Sequence, residues 1–316
     1  MVKLQKPALV FMNGQLVPRD DATLLVSTPA AIRGISVLEG IKGYWRHDDS
    51  HLALLALRSH FERLQRSAML QQLPFSMGYE EFTEACLTIV RALLSEDKDL
   101  WIRPTLYAVE GHWGVDTVTD LVIMCYNQDK RVPDPISLGV STWQRPLDAA
   151  LPYRIKSAAN YQMGRLARIE GRRQGFNDMV MLNQNGRVAE ATASCVLMVR
   201  QGCIVTPPPT EGCLESITVD SLESLCESLG IPFIRRPIDR TELQIADELA
   251  LAGTLAEVAI AQRFEEREMP EAPVLSRLRD EVGRVWREWL VRRRGGNRRS
   301  WSCFQRVLGR FRLPRR

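Results

Sequence analysis

The stretch from residue 178 to 206 constrains this chain more than any other. Three apolar runs, Asp178–Leu182, 188–199 and Cys203–Thr206, are separated by Asn185-Gly186 and Gln201-Gly202. Asn-Gly between apolar runs is the strongest short hairpin signal, because both residues accept positive φ. The segment therefore reads as a β-meander. Just ahead of it, residues 157–174 repeat at helical spacing, with Met163, Leu166 and Ala167 on one face and Arg165, Arg168 and Arg172 on another. That is the pattern of an amphipathic helix, so helix and sheet must pack together here.

A candidate chemical pair brackets this helix. Lys156 stands immediately before it, and Glu190 lies 34 positions later, within the meander rather than on a solvated helix. An amine ahead of a helix and a carboxylate returned by a hairpin suit a pyridoxal phosphate (PLP) site. The amine would join the cofactor aldehyde, and the carboxylate would keep the pyridine nitrogen protonated so that the ring accepts electrons. Read singly, each residue is bland, since most lysines are solvated surface charges and most strand glutamates are rim residues. Tyr161, five residues after Lys156, falls in the first turns of the helix, where its phenol would reach the same cofactor.

Residues 127–135 carry two prolines and mixed charge and read as a linker. Before it, residues 1–130 alternate strands with helices over 57–70 and 79–95. After it, residues 131–290 form a larger domain rich in hairpins, with two or three helices. With 316 residues, 45% of them hydrophobic, the chain can build two domains sharing a cleft. Seven cysteines without CxxC pairs point to reduced thiols. The four histidines, His47, His51, His60 and His112, lack ligand spacing, so no metal is expected. No apolar run of membrane-spanning length and no secretory leader are evident, which makes a cytoplasmic location the expectation. Gly-rich phosphate loops, nucleophile elbows and internal repeats are not found. Ten of the 42 Lys and Arg lie between Arg292 and Arg316, where no acid occurs, so the rest carries 32 basic against 38 acidic residues. The tail, 291–316, reads as a disordered extension; contact with nucleic acid or an anionic membrane surface is its alternative reading.

Further motifs accompany the Lys156 and Glu190 pair: Asn13-Gly14, Gly34-Ile-Ser-Val-Leu-Glu-Gly-Ile-Lys42, His60-Phe-Glu-Arg-Leu64, Trp101-Ile-Arg-Pro104, Ile217-Thr218 and Ala252-Gly-Thr-Leu-Ala-Glu257. Together they resemble the class IV (fold type IV) PLP-dependent aminotransferases, closest to the branched-chain aminotransferase group, over about residues 11–264. The resemblance implies an α/β (α+β) fold of two domains with the cofactor at their interface, in a dimer at least. It implies Lys156 as the Schiff-base lysine and proton carrier, Glu190 at the pyridine nitrogen, Tyr161 at the ring 3′ oxygen and Arg63 at the phosphate. Ile217 and Thr218 would open a helix whose N-terminus meets the phosphate. Gly253 and Thr254 would add donors, and Leu214 would pack on the ring. On the substrate side it implies Leu38, Trp101, Leu255 and Arg103, the last matching a residue that binds the distal carboxylate of glutamate.

The chain departs from the family at several positions. Arg33 and Leu38 replace aromatics, Trp101 stands where tyrosine is common, and Leu214-Glu-Ser-Ile-Thr218 replaces Leu-Pro-Gly-Ile-Thr. Arg33 reads either as a pocket residue for a substrate bearing an extra polar group, or as a surface or interface salt bridge. The function implied is transfer of an amino group between a branched-chain-like amino acid and a 2-oxo acid such as 2-oxoglutarate. The alternatives are a D-amino-acid or (R)-amine transaminase, a lyase like aminodeoxychorismate lyase, or a PLP-binding protein that has lost catalysis.

Overall fold

A computed structural model describes residues 5–46, 51–95, 98–288 and 308–312. Contacts divide the chain into two compact units. Unit 1 holds residues 1–131, 155–159 and 301–316; unit 2 holds residues 132–154 and 160–300. The short segment with Lys156 thus belongs to unit 1, whereas the sequence places it in the larger domain along with everything after the linker.

In chain order, unit 1 contains β1 (Leu9–Met12), β2 (Gln15–Pro18), α1 (Pro29–Arg33), β3 (Ser36–Leu38), β4 (Ile41–Arg46), β5 (His51–Leu55), α2 (Leu57–Leu70), α3 (Tyr79–Leu93), β6 (Lys98–Glu110) and β7 (Val118–Asp129). Unit 2 contains β8 (Ile136–Val140), α4 (Tyr161–Arg173), β9 (Asp178–Leu182), β10 (Val188–Ala191), β11 (Cys195–Arg200), β12 (Cys203–Thr206), α5 (Ile217–Leu229), β13 (Phe233–Arg235), α6 (Arg240–Gln244), β14 (Glu248–Gly253), β15 (Glu257–Phe264), β16 (Arg267–Glu268) and α7 (Pro273–Glu288). A last strand, β17 (Leu308–Arg312), returns to unit 1.

The unit 1 sheet runs β17-β5-β4-β6-β7-β1-β2, with β3 also paired to β6. Its helices cover one face. Leu57, Phe61 and Leu64 of α2 and Phe82, Ile89 and Val90 of α3 bury against Val37, Ile41, Leu54, Leu100, Ile102 and Ile123 of the sheet. Each such side chain contributes on the order of 1.5–3 kcal/mol by leaving water. The expectation of disorder fails for Leu308–Arg312, which pairs antiparallel with β5 from Leu308↔Leu55 to Arg312↔His51. Without it, β5 would be the open edge of the sheet, with unpaired backbone groups. The rest of the tail, 291–307 and 313–316, lies outside the described residues.

Unit 2 builds a sheet in the order β10-β9-β8-β15-β14-β11-β12-β13. Among the described residues its α-helices number four, not two or three, because α6 is five residues long and leaves little periodic signal. The meander departs from the expected form twice. Gly186 alone of the Asn-Gly pair has positive φ, at 74°, while Asn183 Oδ1 accepts the N–H groups of Asn185 and Arg187 and shapes the turn. The second expected strand breaks into β10 and β11 around residues 192–194. On α4 the buried face is made of Gly164, Ala167 and Gly171, so the helix lies very close to the sheet. A Cβ on Gly164 would stand 2.2 Å from the Thr192 carbonyl oxygen.

This contact yields a test in which two effects oppose. Gly164→Ala gains up to about 1 kcal/mol of helix propensity, but forcing backbone apart in a packed interior costs roughly 1–3 kcal/mol. The clash is expected to win, lowering Tm by roughly 2–8 °C in calorimetry. A raised Tm would show that the helix has room to move.

Candidate functional site

In unit 1 the site begins with a run of polar residues on a buried helix face. His60, Arg63 and Ser67 lie three and four residues apart on α2, so they share one side, and all three are buried. Arg63 meets the fully buried Glu39 through two bonds, Nε to Oε1 and Nη2 to Oε2, each 2.7 Å. His60 Nδ1 lies 2.7 Å from Glu39 Oε2. Burial alone would raise the Glu39 carboxyl, but the charge and hydrogen bonds of Arg63, with His60, hold it far below the carboxylate range. Burial likewise pushes the His60 imidazole below 6.5 despite Glu39, and the charges of Arg63 and Lys156 push the same way.

Ser67, one turn beyond Arg63, reaches the lysine segment. Its Oγ accepts the backbone N–H of Lys156 at 3.1 Å, and the Lys156 carbonyl accepts the Leu38 N–H at 2.9 Å. Val37 and Ser157 form an isolated antiparallel bridge beside it. The lysine is thus extended backbone laid against β3 and begins no helix; a 3-10 turn, Ala158–Asn160, separates it from α4.

The face of the unit 1 sheet away from its core carries three residues read as substrate contacts. Opposed residues in an antiparallel pair share a face, and here Leu38 opposes Thr105, Trp101 opposes Tyr126 and Arg103 opposes Met124. Their neighbours Val37, Ile102 and Leu106 enter the core. The Trp101 and Tyr126 rings lie 5.3 Å apart, and the Arg103 guanidinium is 5.4 Å from the Trp101 ring centre. Arg103 Nε is buried without a hydrogen-bond partner. Arg33 is placed differently. It is exposed, donates to the His112 carbonyl at 2.5 Å and stacks 4.1 Å from the Trp113 ring centre.

Unit 2 gathers the remaining residues. Glu190, on β10, has a side chain 12% exposed, with Oε1 at 3.1 Å from Arg145 Nη2. Its Oε2 accepts the Leu214 N–H at 3.2 Å. Three residues beyond Leu214, Ile217 and Thr218 open α5, which Ser216 caps by accepting the Val219 N–H. Gly253 ends β14, opposite Glu257 and next to the register pair Cys195↔Ala252, and Thr254 and Leu255 follow in the turn to β15. A Cβ on Gly253 would approach Ser194 Oγ to 3.3 Å. Tyr161 is the first residue of α4.

Sequence reasoning missed Glu39, His60, Ser67, Tyr126 and Arg145. The α2 set was legible in principle, as polar residues at three- and four-residue spacing flanking the apolar stripe. Tyr126 could be found only from the pairing of β6 with β7, and Arg145, in an irregular stretch, left no signal.

The donor chemistry fits PLP. A phosphate dianion needs N–H and O–H donors, and the first turn of α5 supplies N–H groups with no carbonyl one turn back. A pyridine nitrogen needs a charged acceptor, which Glu190 is, and the aldehyde needs an amine, which Lys156 is. The sequence profile described as amino-transferase class IV matches residues 36–264. The chain belongs to the class IV aminotransferases. A probable branched-chain-amino-acid aminotransferase of Synechocystis sp. is 33% identical over 279 residues, covering 86% of this chain and 90% of the relative. The PLP form of the branched-chain amino acid aminotransferase from Thermobaculum terrenum is 33% identical with a TM-score of 0.81, over 89% of this chain and 94% of that one. The branched-chain aminotransferase of the archaeon Thermoproteus uzoniensis, solved with norvaline, is 30% identical with a TM-score of 0.83, over 89% and 95% of the two chains. The class IV chain described here is a PLP-dependent transaminase of the two-domain fold type IV architecture. No helix among its described residues is long and apolar enough to cross a membrane, and no group of side chains there could hold a metal ion.

The buried histidine of this aminotransferase makes stability depend on pH. Its folded pKa is depressed, so its stabilising contribution is complete above 6.5, the unfolded value, and is lost as pH falls toward the lower folded one. One proton taken up only on unfolding gives a slope of up to about 1.4 kcal/mol per pH unit. Between pH 7 and 5 the midpoint of chemical unfolding should fall in the native chain and fall less in His60→Gln. Parallel curves would remove His60 from the linkage.

Proposed function

We propose that the chain moves the amino group of a branched-chain or related apolar amino acid to a 2-oxo acid with a distal carboxylate, of which 2-oxoglutarate is the type. The observation that carries this reading is Arg103, a guanidinium with one unsatisfied buried N–H. Such a group is costly unless something pairs with it, and a substrate carboxylate is the matching partner. Leu38 and Trp101 on the same face offer apolar walls for an aliphatic side chain, with Leu255 as a further wall in this reading. Arg33, hydrogen-bonded to a backbone carbonyl and stacked on Trp113, leaves the preference for apolar donors unopposed.

PLP, when bound, supplies an electron sink for breaking the Cα–H bond. In our assignment Lys156 Nζ would hold the cofactor through its aldehyde carbon and, once the substrate's amino group has displaced it, would be the free amine that carries the proton released from Cα. Glu190 accepts the pyridine N–H, Tyr161 hydrogen-bonds the 3′ oxygen, and Leu214 packs on the ring. The phosphate is taken by Arg63, the N–H groups of Ile217 and Thr218, and Gly253 with Thr254. Two nitrogens of Arg63, Nε and Nη2, hold Glu39, which fixes where its guanidinium stands.

We further infer a homo-oligomer, at least a dimer; the local runs of exposed apolar side chains at Leu25 and Val26 and at Trp113 and Val115 support it. Free thiols at all six described cysteines support a cytoplasmic setting.

Two measurements test the assignment. Borohydride reduction of the yellow holoprotein followed by peptide mapping should label Lys156, and Lys156→Ala should lose the visible band; a label on another lysine would overturn the site. For Arg103→Met, KM for 2-oxoglutarate should rise on the order of 30-fold or more, the effect of removing one partner of a desolvated pair. The same variant should handle a branched 2-oxo acid almost normally. Equal loss with both acceptors would show that Arg103 supports the sheet rather than the substrate.

A further inference from the structure

Arg145 lies in an irregular stretch after β8 and is almost fully buried. An arginine taken out of water persists where its whole fork is paired. Three acceptors meet this one: Glu190 Oε1 at 3.1 Å from Nη2, the Asn160 carbonyl at 3.1 Å from Nη1 and the Gly212 carbonyl at 3.3 Å from Nε. The Arg145 backbone N–H donates to the Leu182 carbonyl at 2.9 Å, which ties the residue to β9, the strand paired with β10.

Each acceptor has a consequence for a different part of the assigned site. Glu190 is the carboxylate itself. Asn160 immediately precedes Tyr161. Gly212, held at a φ of 95°, is two residues before Leu214, whose N–H takes the other Glu190 oxygen. Gly212 also neighbours the Arg145 stem, since a Cβ there would make ordinary contact, at 3.8 Å, with both Ala189 and Arg145 Cβ. Movement of the guanidinium would therefore free the carboxylate to rotate and loosen both neighbouring segments.

We propose that Arg145 is a positioning residue for the cofactor ring: its fork sets the orientation of Glu190 and, through the Asn160 and Gly212 carbonyls, the spacing of Tyr161 and Leu214. The inference rests on the reading of Glu190 as the partner of the pyridine nitrogen. A plain counter-charge would need one contact to the carboxylate, whereas this guanidinium uses all three of its nitrogens.

The test compares Arg145→Met, Arg145→Lys, Glu190→Gln and the Arg145→Met, Glu190→Gln double variant. Two quantities are read: the dissociation constant for PLP, by fluorescence titration of apoprotein, and the pH titration of the bound cofactor's absorbance. Arg145→Met should weaken PLP binding about tenfold or more and move the titration, and in the Glu190→Gln background its effect should shrink, as expected for directly coupled residues. Arg145→Lys keeps the charge without the fork and should restore less than half of the logarithmic loss. Full rescue by lysine would overturn the positioning role and leave a counter-charge. If Glu190→Gln moves the titration while Arg145→Met moves neither quantity, the inference fails and the reading of Glu190 stands. If Glu190→Gln moves neither, the reading of Glu190 fails and takes the inference with it. Should Arg145→Met not fold, Arg145→Lys decides alone: unchanged binding overturns the proposal, and weakened binding with a moved titration supports it.

Discussion

The pair of Glu39 with Arg63 is the interaction on which unit 1 depends. Removing a carboxylate and a guanidinium from water costs several kcal/mol each, and only close, multiply bonded geometry offsets that. Two bonds of 2.7 Å, with His60 at 2.7 Å from the same carboxylate, meet the requirement. They also lock the rotation of α2 against the link between β3 and β4. One turn further along the same face, Ser67 then stands where it accepts the Lys156 N–H. The position of the lysine backbone is thus a consequence of a charge pair elsewhere on the helix, and breaking that pair by removing one partner would cost about 3–5 kcal/mol.

Unit 2 repeats the pairing of carboxylate with arginine, with a different outcome. Glu39 is fully buried and its two oxygens take three short contacts, so its acceptor capacity is largely used within the protein. Glu190 keeps partial exposure and takes one contact of 3.1 Å and one of 3.2 Å. A carboxylate oxygen has about two lone-pair sites, so Glu190 retains room for a further donor. The same residue type therefore serves as a structural anchor in one unit and as a candidate ligand for the ring nitrogen in the other, and the number and length of contacts separate the two roles.

What could be read from the sequence followed from short-range periodicity. Helix α2 stands over the expected residues because Leu57, Phe61, Leu64 and Ala68 repeat at helical spacing and all are buried. The α5 boundaries followed from Ser216 and Gly230, the latter left-handed at 66°. Misreadings share another cause. Glycine sits near the middle of a hydrophobicity scale and gives no apolar signal, so periodicity finds Ala167 and Met163 on the packed side of α4 but misses Gly164 and Gly171, which are buried there with Ala167. Composition likewise gives disorder for an arginine-rich tail, although a strand at a sheet edge needs backbone partners more than apolar side chains. Arg145 could not be found because its three acceptors are brought together only by the fold.

Pro104 shows how one backbone constraint connects these features. Proline lacks an N–H and is rarely tolerated inside a sheet, yet β6 lies between β4 and β7. The register explains how it is accommodated. Leu38 opposes Thr105 and Ile41 opposes Ile102, so Arg103 and Pro104 face the two residues, Glu39 and Gly40, that interrupt β3 and β4. The Pro104 carbonyl accepts the Glu39 N–H at 2.9 Å. In an antiparallel pair a residue's N–H and C=O point to the same side, so the missing donor falls at this interruption and not on the intact β7 ladder. The break still preserves alternation: Val37, Glu39 and Ile41 keep to the core side, where α2 brings Arg63. Gly40 lies on the other side, against Trp101, where a Cβ would come within 2.9 Å of the indole nitrogen. A residue unable to donate one hydrogen bond thus coincides with the point where the sheet sends a charge inward to α2 and admits an aromatic ring on its opposite face.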